Sequence, residues 1–167
     1  MNSLTPTLKS YAQKAVFALK QKNMTVATAE SCTGGLLSAL ITSVSGASSV
    51  FGLGVCSYAP EAKVNTLGVN AATIEKYGTV SEFTAKEMAE NIRKLANADI
   101  GLSVTGVAGP ESSENKPVGL VYIALSSQNE TITKQLNIEN NGRDFIRENA
   151  AQEIFNLLIN YLNSEEI

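Results

Sequence analysis

The feature that most constrains the fold is the alternation of short apolar segments with longer amphipathic ones. Residues 24–29 and 50–58 are predicted as strands, and "DIGLSVTGVAGP" (residues 99–110) as a strand that runs into a glycine-rich loop. Segments with helical periodicity lie before, between and after these strands. Such alternation is typical of an α/β domain with helices on both faces of one sheet.

The helical segments are recognised from apolar residues that recur every three or four positions. The predicted helices are residues 6–22 with Pro6 near the start, a segment from Thr33 that ends before Ser45, a short segment from Pro60, residues 71–77, a segment after Ser81, and residues 143–162.

The second half of the chain adds a hairpin to this pattern. Residues 118–126 and 131–138 are predicted as two strands joined by "SQNE", and a hairpin makes the sheet a mixed one. No internal repeat, low-complexity tract or linker interrupts the chain. We therefore expect residues 1–167 to form a single three-layer α/β/α domain with a mixed sheet and a long C-terminal helix.

Charge and hydropathy argue against several classes of partner. The net charge of −3 provides no whole-molecule attraction to nucleic acid or to an anionic membrane. No apolar run reaches membrane-spanning length, and polar residues interrupt the N-terminal segment where a signal peptide needs an apolar core. We expect a cytoplasmic protein with no nucleic-acid or membrane partner.

The chain contains no histidine and only two cysteines, Cys32 and Cys56. A zinc site is therefore not expected, whereas carboxylate ligands leave a Mg²⁺ site open. Two cysteines are too few for a disulfide framework, and we expect both to be thiols in a reducing compartment. Any catalytic nucleophile must use a base other than histidine.

A hydroxyl side chain follows the first predicted strand, in "TAESCTGG" (residues 28–35). One interpretation is that Ser31 or Thr33 caps the next helix and that the glycines allow close packing of strand and helix. The alternative is a nucleophile, because the free N–H groups of a helix start stabilise a phosphate or an oxyanion. Both interpretations are open on the residues alone.

The segment "SYAPEAK" offers a base for such a nucleophile in Lys63. An ordinary lysine is solvated at the surface, but serine–lysine pairs are a known substitute for serine–histidine pairs. A lysine acts as a base only when burial or nearby positive charge lowers its pKa. If Ser31 is the nucleophile, the absence of histidine favours Lys63 as its base.

Two further segments suit the binding of an anion. Residues 105–119, "TGVAGPESSENKPVG", are either a surface loop or an anion site built from backbone N–H groups and the Thr105 hydroxyl. The loop lacks the G-K-[ST] ending of a Walker A sequence. Arg143 and Arg147 stand one turn apart, as either a solvated face or bidentate phosphate ligands.

Taken together, these segments resemble one family, the C-terminal domain of CinA, which is also found alone as bacterial nicotinamide mononucleotide deamidase. The matching segments run in the family's order between about residues 8 and 162: "TAESCTGG", "SY..EAK", "YGTVSE", "TGVAGP", "KPVG.VYIA" and "GRD.IR". Larger CinA proteins carry an additional N-terminal domain, for which we expect this chain to be too short.

The resemblance implies hydrolysis of the carboxamide of nicotinamide mononucleotide to the acid, with release of ammonia, in pyridine-nucleotide recycling. It implies a Ser/Lys hydrolase without metal or cofactor, in which Ser31 is the nucleophile and Lys63 the base. It also implies that the protein forms a homodimer or a larger homo-oligomer.

Further site residues follow from the same resemblance and mechanism. Tyr58 or Ser48 would relay a proton to the leaving ammonia, and Ser48 is the rival position for the nucleophile. The backbone around Thr33 and Gly34 would hold the oxyanion. The remaining substrate-binding residues are Glu30, Gly35, Thr105, Gly106, Gly109 and, nearest the phosphate, Arg143.

Two departures from the family pattern stand beside this site. The chain has Ala59-Pro60 where the family commonly has Ser-Asn, and "ESSE" (residues 111–114) where the glycine-rich loop usually continues with glycines. A catalytically weak nucleotide-binding or regulatory domain is therefore the alternative function. A phosphotransferase that binds ATP is disfavoured by the missing Walker lysine.

Overall fold

The computed structural model describes residues 6–164, in which one five-stranded sheet lies between two layers of helices. The strands are β1 Val26–Glu30, β2 Phe51–Cys56, β3 Ile100–Gly106, β4 Leu120–Ser126 and β5 Thr131–Asn137. The helices are α1 Pro6–Lys22, α2 Leu36–Thr42, α3 Pro60–Asn65, α4 Ala71–Tyr77, α5 Glu82–Leu95 and α6 Arg143–Ser164, with a short 3₁₀ helix at Ala47–Ser49.

The strand order β2-β1-β3-β4-β5 combines parallel and antiparallel pairing. Strand β1 is parallel to both β2 and β3, whereas β4 is antiparallel to β3 and to β5. The predicted mixed sheet and its hairpin are therefore confirmed. Glu30 is aligned with Cys56 on one side and with Val104 on the other, so the carboxyl ends of the three parallel strands meet at one edge.

The two faces of the sheet are covered by different helices. Helices α1, α2 and α6 pack together on one face, where they bury residues such as Leu19, Leu40 and Phe155. Helix α5 covers the other face, where Met88 and Ile92 contact the small side chains of β1. Burial of these apolar side chains is the main stabilising contribution, and the predicted three-layer α/β/α architecture is confirmed.

The turn between β1 and α2 is longer than the sequence pattern predicts. Helix α2 begins at Leu36 and not at Thr33, because Gly34 and Gly35 have φ angles of +60° and +92°. These left-handed conformations cannot belong to a right-handed helix, and glycine adopts them without steric cost. Residues 31–35 therefore form a turn that raises Ser31 and Cys32 above the carboxyl end of β1.

Candidate active site

The site lies where the chain leaves neighbouring parallel strands in opposite directions. After β1 it turns towards α2, on the face covered by α1 and α6, and after β2 it passes through α3 to the face covered by α5. Such a divergence opens a crevice at the carboxyl edge of a sheet. Ser31 follows β1 and Ser57 follows β2, and the Ser57 N–H donates to the Glu30 carbonyl over 2.8 Å.

Within this crevice the structure brings Ser31 and Lys63 together. The Nζ atom of Lys63 lies 3.0 Å from Oγ of Ser31 and donates a hydrogen bond of 2.7 Å to the Ser57 carbonyl. Lys63 belongs to the short helix α3, whose first residue is Pro60 and whose N-cap, Ala59, supplies no side-chain hydrogen bond. Proline suits this first position, since its φ is preset for a helix and its missing N–H is not needed there. The Ala59-Pro60 departure is thus compatible with the helix that holds Lys63.

The surroundings of Lys63 favour its neutral form. Its side chain is only 1% exposed, and this burial lowers its pKa from the ordinary value of 10.5. Attraction from Cys32, Glu114 and Cys56 opposes the shift without reversing it. Among residues 6–164, no carboxylate lies within ion-pairing distance of its ammonium group. A buried amine without a counter-ion can accept the proton of a neighbouring hydroxyl.

The start of α2 is held by the carboxylate of Glu30. This carboxylate accepts hydrogen bonds of 2.9–3.0 Å from the N–H groups of Gly35, Leu37 and Ser38, and one of 2.7 Å from the Ser38 hydroxyl. Neither Ser31 nor Thr33 caps the helix, so that interpretation is wrong. Glu30 is itself 1% exposed and does not line the cleft, because its oxygens face the helix start.

Because these N–H groups already donate to Glu30, the backbone donors that are free near Ser31 must come from the turn before the helix. The N–H of Gly34 donates to the Ser31 carbonyl over 3.0 Å, and the N–H of Gly35 donates to Glu30. In the described part of the chain, no main-chain carbonyl accepts a hydrogen bond from the N–H groups of Cys32 and Thr33. Of the expected oxyanion donors around Thr33 and Gly34, the N–H of Gly34 is therefore already hydrogen-bonded, and those of Cys32 and Thr33 directly follow the candidate nucleophile.

A small cleft opens beside Ser31, with a volume of about 180 Å³. Its lining comes from the turn after β1, from the segments after β2 and β3, and from the start of α6. The lining residues are Ser31, Cys32, Tyr58, Thr79, Val80, Gly106, Val107, Ala108, Gly109, Glu111, Ser113 and Arg143.

Arg143 joins two walls of this cleft. Its guanidinium group donates to the Gly109 carbonyl over 2.6 Å and to the Tyr58 hydroxyl over 2.8 Å. Tyr58 is 61% exposed, so this hydrogen bond fixes a side chain that would otherwise be free in solvent. A guanidinium group has five N–H donors, which leaves further donors for a ligand. Arg143, Tyr58 and Gly109 thus lie together on the wall of the cleft.

Thr105 and Ser48 do not line the cleft. The Thr105 hydroxyl donates a hydrogen bond of 2.8 Å to the Thr79 carbonyl, and Thr105 is only 1% exposed. Ser48 lies in the 3₁₀ helix before β2, in a surface depression with Phe51. The site is at the other end of this six-residue strand, about 20 Å away. The structure therefore does not bring Ser48 to Lys63, and the expectation that it lines the site is corrected.

Glu114 holds the glycine-rich loop in place. Its carboxylate accepts hydrogen bonds from the Thr79 hydroxyl and N–H and from the Val80 N–H, and it forms an ion pair of 3.0 Å with Lys116. Partial burial by itself raises the pKa of Glu114, but these hydrogen bonds outweigh it and lower the pKa to about 2. The "ESSE" departure thus supplies a structural anchor, while Glu111 of the same segment lines the cleft.

Sequence reasoning missed Ser57, and it did not predict the contact that Arg147 makes with the turn after β1. Ser57 presents its carbonyl to Lys63, and Arg147 donates to the Thr33 carbonyl over 2.8 Å, which ties the turn after β1 to α6. A carbonyl acceptor leaves no trace in side-chain patterns. The spacing of Arg143 and Arg147 indicated either a solvated helix face or phosphate ligands, and not a contact with the Thr33 carbonyl.

The acidic and thiol side chains and the helices of residues 6–164 bear on metal and membrane binding. No group of three histidine, cysteine, aspartate or glutamate side chains there is arranged to ligate a metal ion. In the same range no helix combines the length and the apolar character needed to cross a bilayer. Cys32 is buried and Cys56 exposed, both as free thiols, and burial raises the pKa of Cys32 to about 12.

Fold and site together define a three-layer α/β protein with a buried serine–lysine pair at the carboxyl edge of its sheet. The family model described as the CinA C-terminal domain matches residues 8–162. The chain belongs to this family.

Similar proteins extend this result. A "putative competence-damage inducible protein" of Thermoanaerobacter sp. (strain X514) is 53% identical over 90% of this chain, and a "CinA-like protein" of Kosmotoga olearia is 47% identical over 86%. The chain spans only 37% and 35% of the length of these two relatives. The crystal structure of the competence/damage inducible protein CihA from Agrobacterium tumefaciens matches with a TM-score of 0.91 and 33% identity, over 98% of this chain and 99% of that one.

Proposed function

We propose that this domain is an amidohydrolase in which Ser31 is the nucleophile and Lys63 its general base. The observation that carries the proposal is the 3.0 Å separation of Oγ and Nζ, with the lysine buried and its pKa lowered. A nucleophile and a base within hydrogen-bonding distance are the signature of covalent catalysis. The absence of histidine from the whole chain agrees with an amine base.

The proposed reaction proceeds through an acyl-enzyme. Neutral Lys63 takes the Ser31 proton as Oγ attacks the amide carbon, and the N–H groups of Cys32 and Thr33 stabilise the resulting oxyanion. Protonated Lys63 then gives its proton to the leaving ammonia, directly or through Tyr58. Water hydrolyses the acyl-enzyme by the same proton path, which returns the lysine to its neutral state.

The proposed substrate is nicotinamide mononucleotide, as the family resemblance implies. Its phosphate would bind Arg143 and the N–H groups of Ala108 and Gly109, which have no acceptor within residues 6–164. Its pyridinium ring is cationic, and Glu111 places a carboxylate on the cleft wall. Opposite charges on the cleft thus match a substrate that carries both signs. We expect the protein to act in the cytoplasm as a homodimer or a larger homo-oligomer.

The test is ammonia release from nicotinamide mononucleotide and from free nicotinamide, measured in the presence of EDTA. We expect turnover of the nucleotide, a much lower kcat/KM for nicotinamide, and no loss on chelation, because remote phosphate binding positions the amide for attack. Ser31→Ala should lower kcat by several orders of magnitude, whereas the matched variant Ser48→Ala should retain wild-type turnover.

Three results would contradict the proposal. Equal kcat/KM for the nucleotide and free nicotinamide would remove the role of the phosphate. Loss of activity in EDTA, restored by a divalent cation, would replace the amine base by a metal. Binding of the nucleotide without any ammonia release would favour the alternative of a regulatory nucleotide-binding domain.

A further inference from the structure

Ser57 contacts the site, yet the proposed chemistry assigns its side chain no role. The residue is fully buried directly after β2, where its N–H donates to the Glu30 carbonyl and its own carbonyl accepts from Lys63 at 2.7 Å. Its hydroxyl is a buried polar group for which residues 6–164 offer no hydrogen-bond partner. A buried hydroxyl without a partner costs free energy, so its retention beside Lys63 needs a physical reason.

The donors of a protonated lysine suggest that reason. An ammonium group has three N–H donors, and two acceptors contact Nζ here: the Ser31 hydroxyl and the Ser57 carbonyl. In the neutral amine that acts as the base, the lone pair accepts the Ser31 O–H and one N–H donates to the Ser57 carbonyl. The remaining N–H of a neutral amine costs less unpaired than an N–H of an ammonium group. Once Lys63 holds an additional proton, one N–H has no acceptor, in a site where no carboxylate pairs with it.

We propose that Ser57 is a positioning residue of this reaction, whose hydroxyl oxygen accepts the third N–H of the Lys63 ammonium. The inference rests on the proposed function. In the acylation step the Ser31 O–H bond breaks and its proton goes to the lone pair of Nζ. The O–H electron pair forms the bond from Oγ to the amide carbon, and the carbonyl π pair moves to the oxygen. Ser57 exchanges no atom or electron.

The position of Ser57 makes it act on the lysine and not on the substrate. Ser57 is absent from the residues that line the cleft, while its main chain already contacts Nζ. Other groups also affect the charge of Lys63, and a Ser57 variant leaves them all in place. They are Cys32, Cys56 and Glu114, which attract its proton, and Arg143 and Arg147 of α6, which act on the same Cys32 thiol.

The experiment compares Ser57→Ala with wild type over a range of pH. We expect kcat to fall about tenfold at its plateau with KM unchanged, because a hydrogen bond to the ammonium is lost. We also expect the acidic limb of kcat/KM to move to lower pH, since the ammonium is less stable without its acceptor. Ser57→Thr keeps the hydroxyl and should leave that limb at its wild-type position.

A matched control separates this effect from the loss of any buried hydroxyl. Ser103 is also fully buried, but its hydroxyl donates to the Ala85 carbonyl over 2.6 Å, on β3 and away from Lys63. Ser103→Ala should therefore retain the wild-type pH profile. If it shifts the acidic limb as far as Ser57→Ala does, the proposal is overturned.

A second readout needs no substrate. Titration of the Lys63 ¹³Cε signal by NMR should give a lower midpoint in Ser57→Ala than in wild type. An unchanged midpoint overturns the proposal. A higher midpoint also overturns it, because it would mean that water entering the space of the lost hydroxyl stabilises the ammonium better than Ser57 does. Failure of wild type to release ammonia, together with the lowered midpoint, would refute the reaction while the hydrogen bond to Ser57 stands.

Discussion

At the scale of single residues, the proposed reaction depends on the protonation state of Lys63. In the proposed reaction the amine 3.0 Å from the Ser31 hydroxyl must be neutral, and the burial that lowers the pKa of Lys63 favours this state. The same residue type at the surface would stay protonated and could not take a proton from Ser31.

This reasoning predicts how substitutions of Lys63 behave. Lys63→Arg should lower kcat by several orders of magnitude, because an arginine cannot become a neutral base near physiological pH. In wild type, kcat/KM should rise with pH as Lys63 loses its proton, and this rise should occur below the ordinary lysine pKa of 10.5. Steady-state ammonia release across the pH range checks both outcomes.

A suitable control is Lys134→Arg, at a surface lysine that forms an ion pair of 2.7 Å with Glu153. It should leave the pH profile unchanged. Substantial turnover by Lys63→Arg would count against Lys63 as the base. So would an acidic limb of kcat/KM with its midpoint at the ordinary lysine pKa of 10.5.

At the scale of elements, helix α2 depends on a carboxylate from the strand before it. Glu30 closes β1 and accepts four hydrogen bonds from the start of α2, while Arg147 of α6 holds the turn between them through the Thr33 carbonyl. The strand, the turn and the helix are thus held together by side-chain hydrogen bonds. The position of Ser31 and of the N–H groups beside it is set by contacts from outside the turn.

We predict that Glu30→Ala destabilises the fold more than the loss of an ordinary helix cap. Ser81 caps α5 through one hydrogen bond of 3.1 Å to the Thr84 N–H, and Ser81→Ala should cost about 1 kcal/mol. Glu30→Ala leaves several buried donors unpaired and should cost about 3 kcal/mol. Urea denaturation of both variants measures the two values. A smaller loss for Glu30→Ala than for Ser81→Ala would disprove the anchoring role.

At the scale of the whole molecule, the buried amine links stability to pH. The unfolded chain keeps a proton on Lys63 up to the ordinary lysine pKa of 10.5, whereas the folded chain releases it at a lower pH. Between these two pKa values the unfolded state binds more protons, so the free energy of unfolding rises with pH through this window. Below the window, the folded chain bears the full cost of a buried ammonium.

Lys63→Met is expected to remove this contribution. The difference in the free energy of unfolding between wild type and Lys63→Met should become more favourable to wild type as pH rises through the window. Cys32, with its pKa raised to about 12, opposes this trend above pH 9.0 but does so in both proteins. Urea denaturation at several pH values measures the difference. A difference independent of pH would mean that Lys63 titrates as in the unfolded chain.

Hydrophobic periodicity was sufficient to predict the elements and the layers of this domain. Each strand and each α-helix was predicted from local patterns, because burial of one face is encoded in residues three, four or two positions apart. The 3₁₀ helix at Ala47–Ser49 was not predicted. The start of α2 was missed, since the left-handed Gly34 and Gly35 are a property of the backbone that a helical pattern of side chains does not reveal.

The sequence by itself determined the chemistry that is available: no histidine, a serine after the first strand, and a lysine after the second. Only the tertiary structure decided which groups meet. It places Lys63 beside Ser31 and the Ser57 carbonyl beside Nζ. Ser48 lies at the far end of β2, and the Glu30 carboxylate binds the start of α2. The physical reason is that contacts across 32 residues depend on strand register and on the face to which each connection turns, and neither is a local property of the chain.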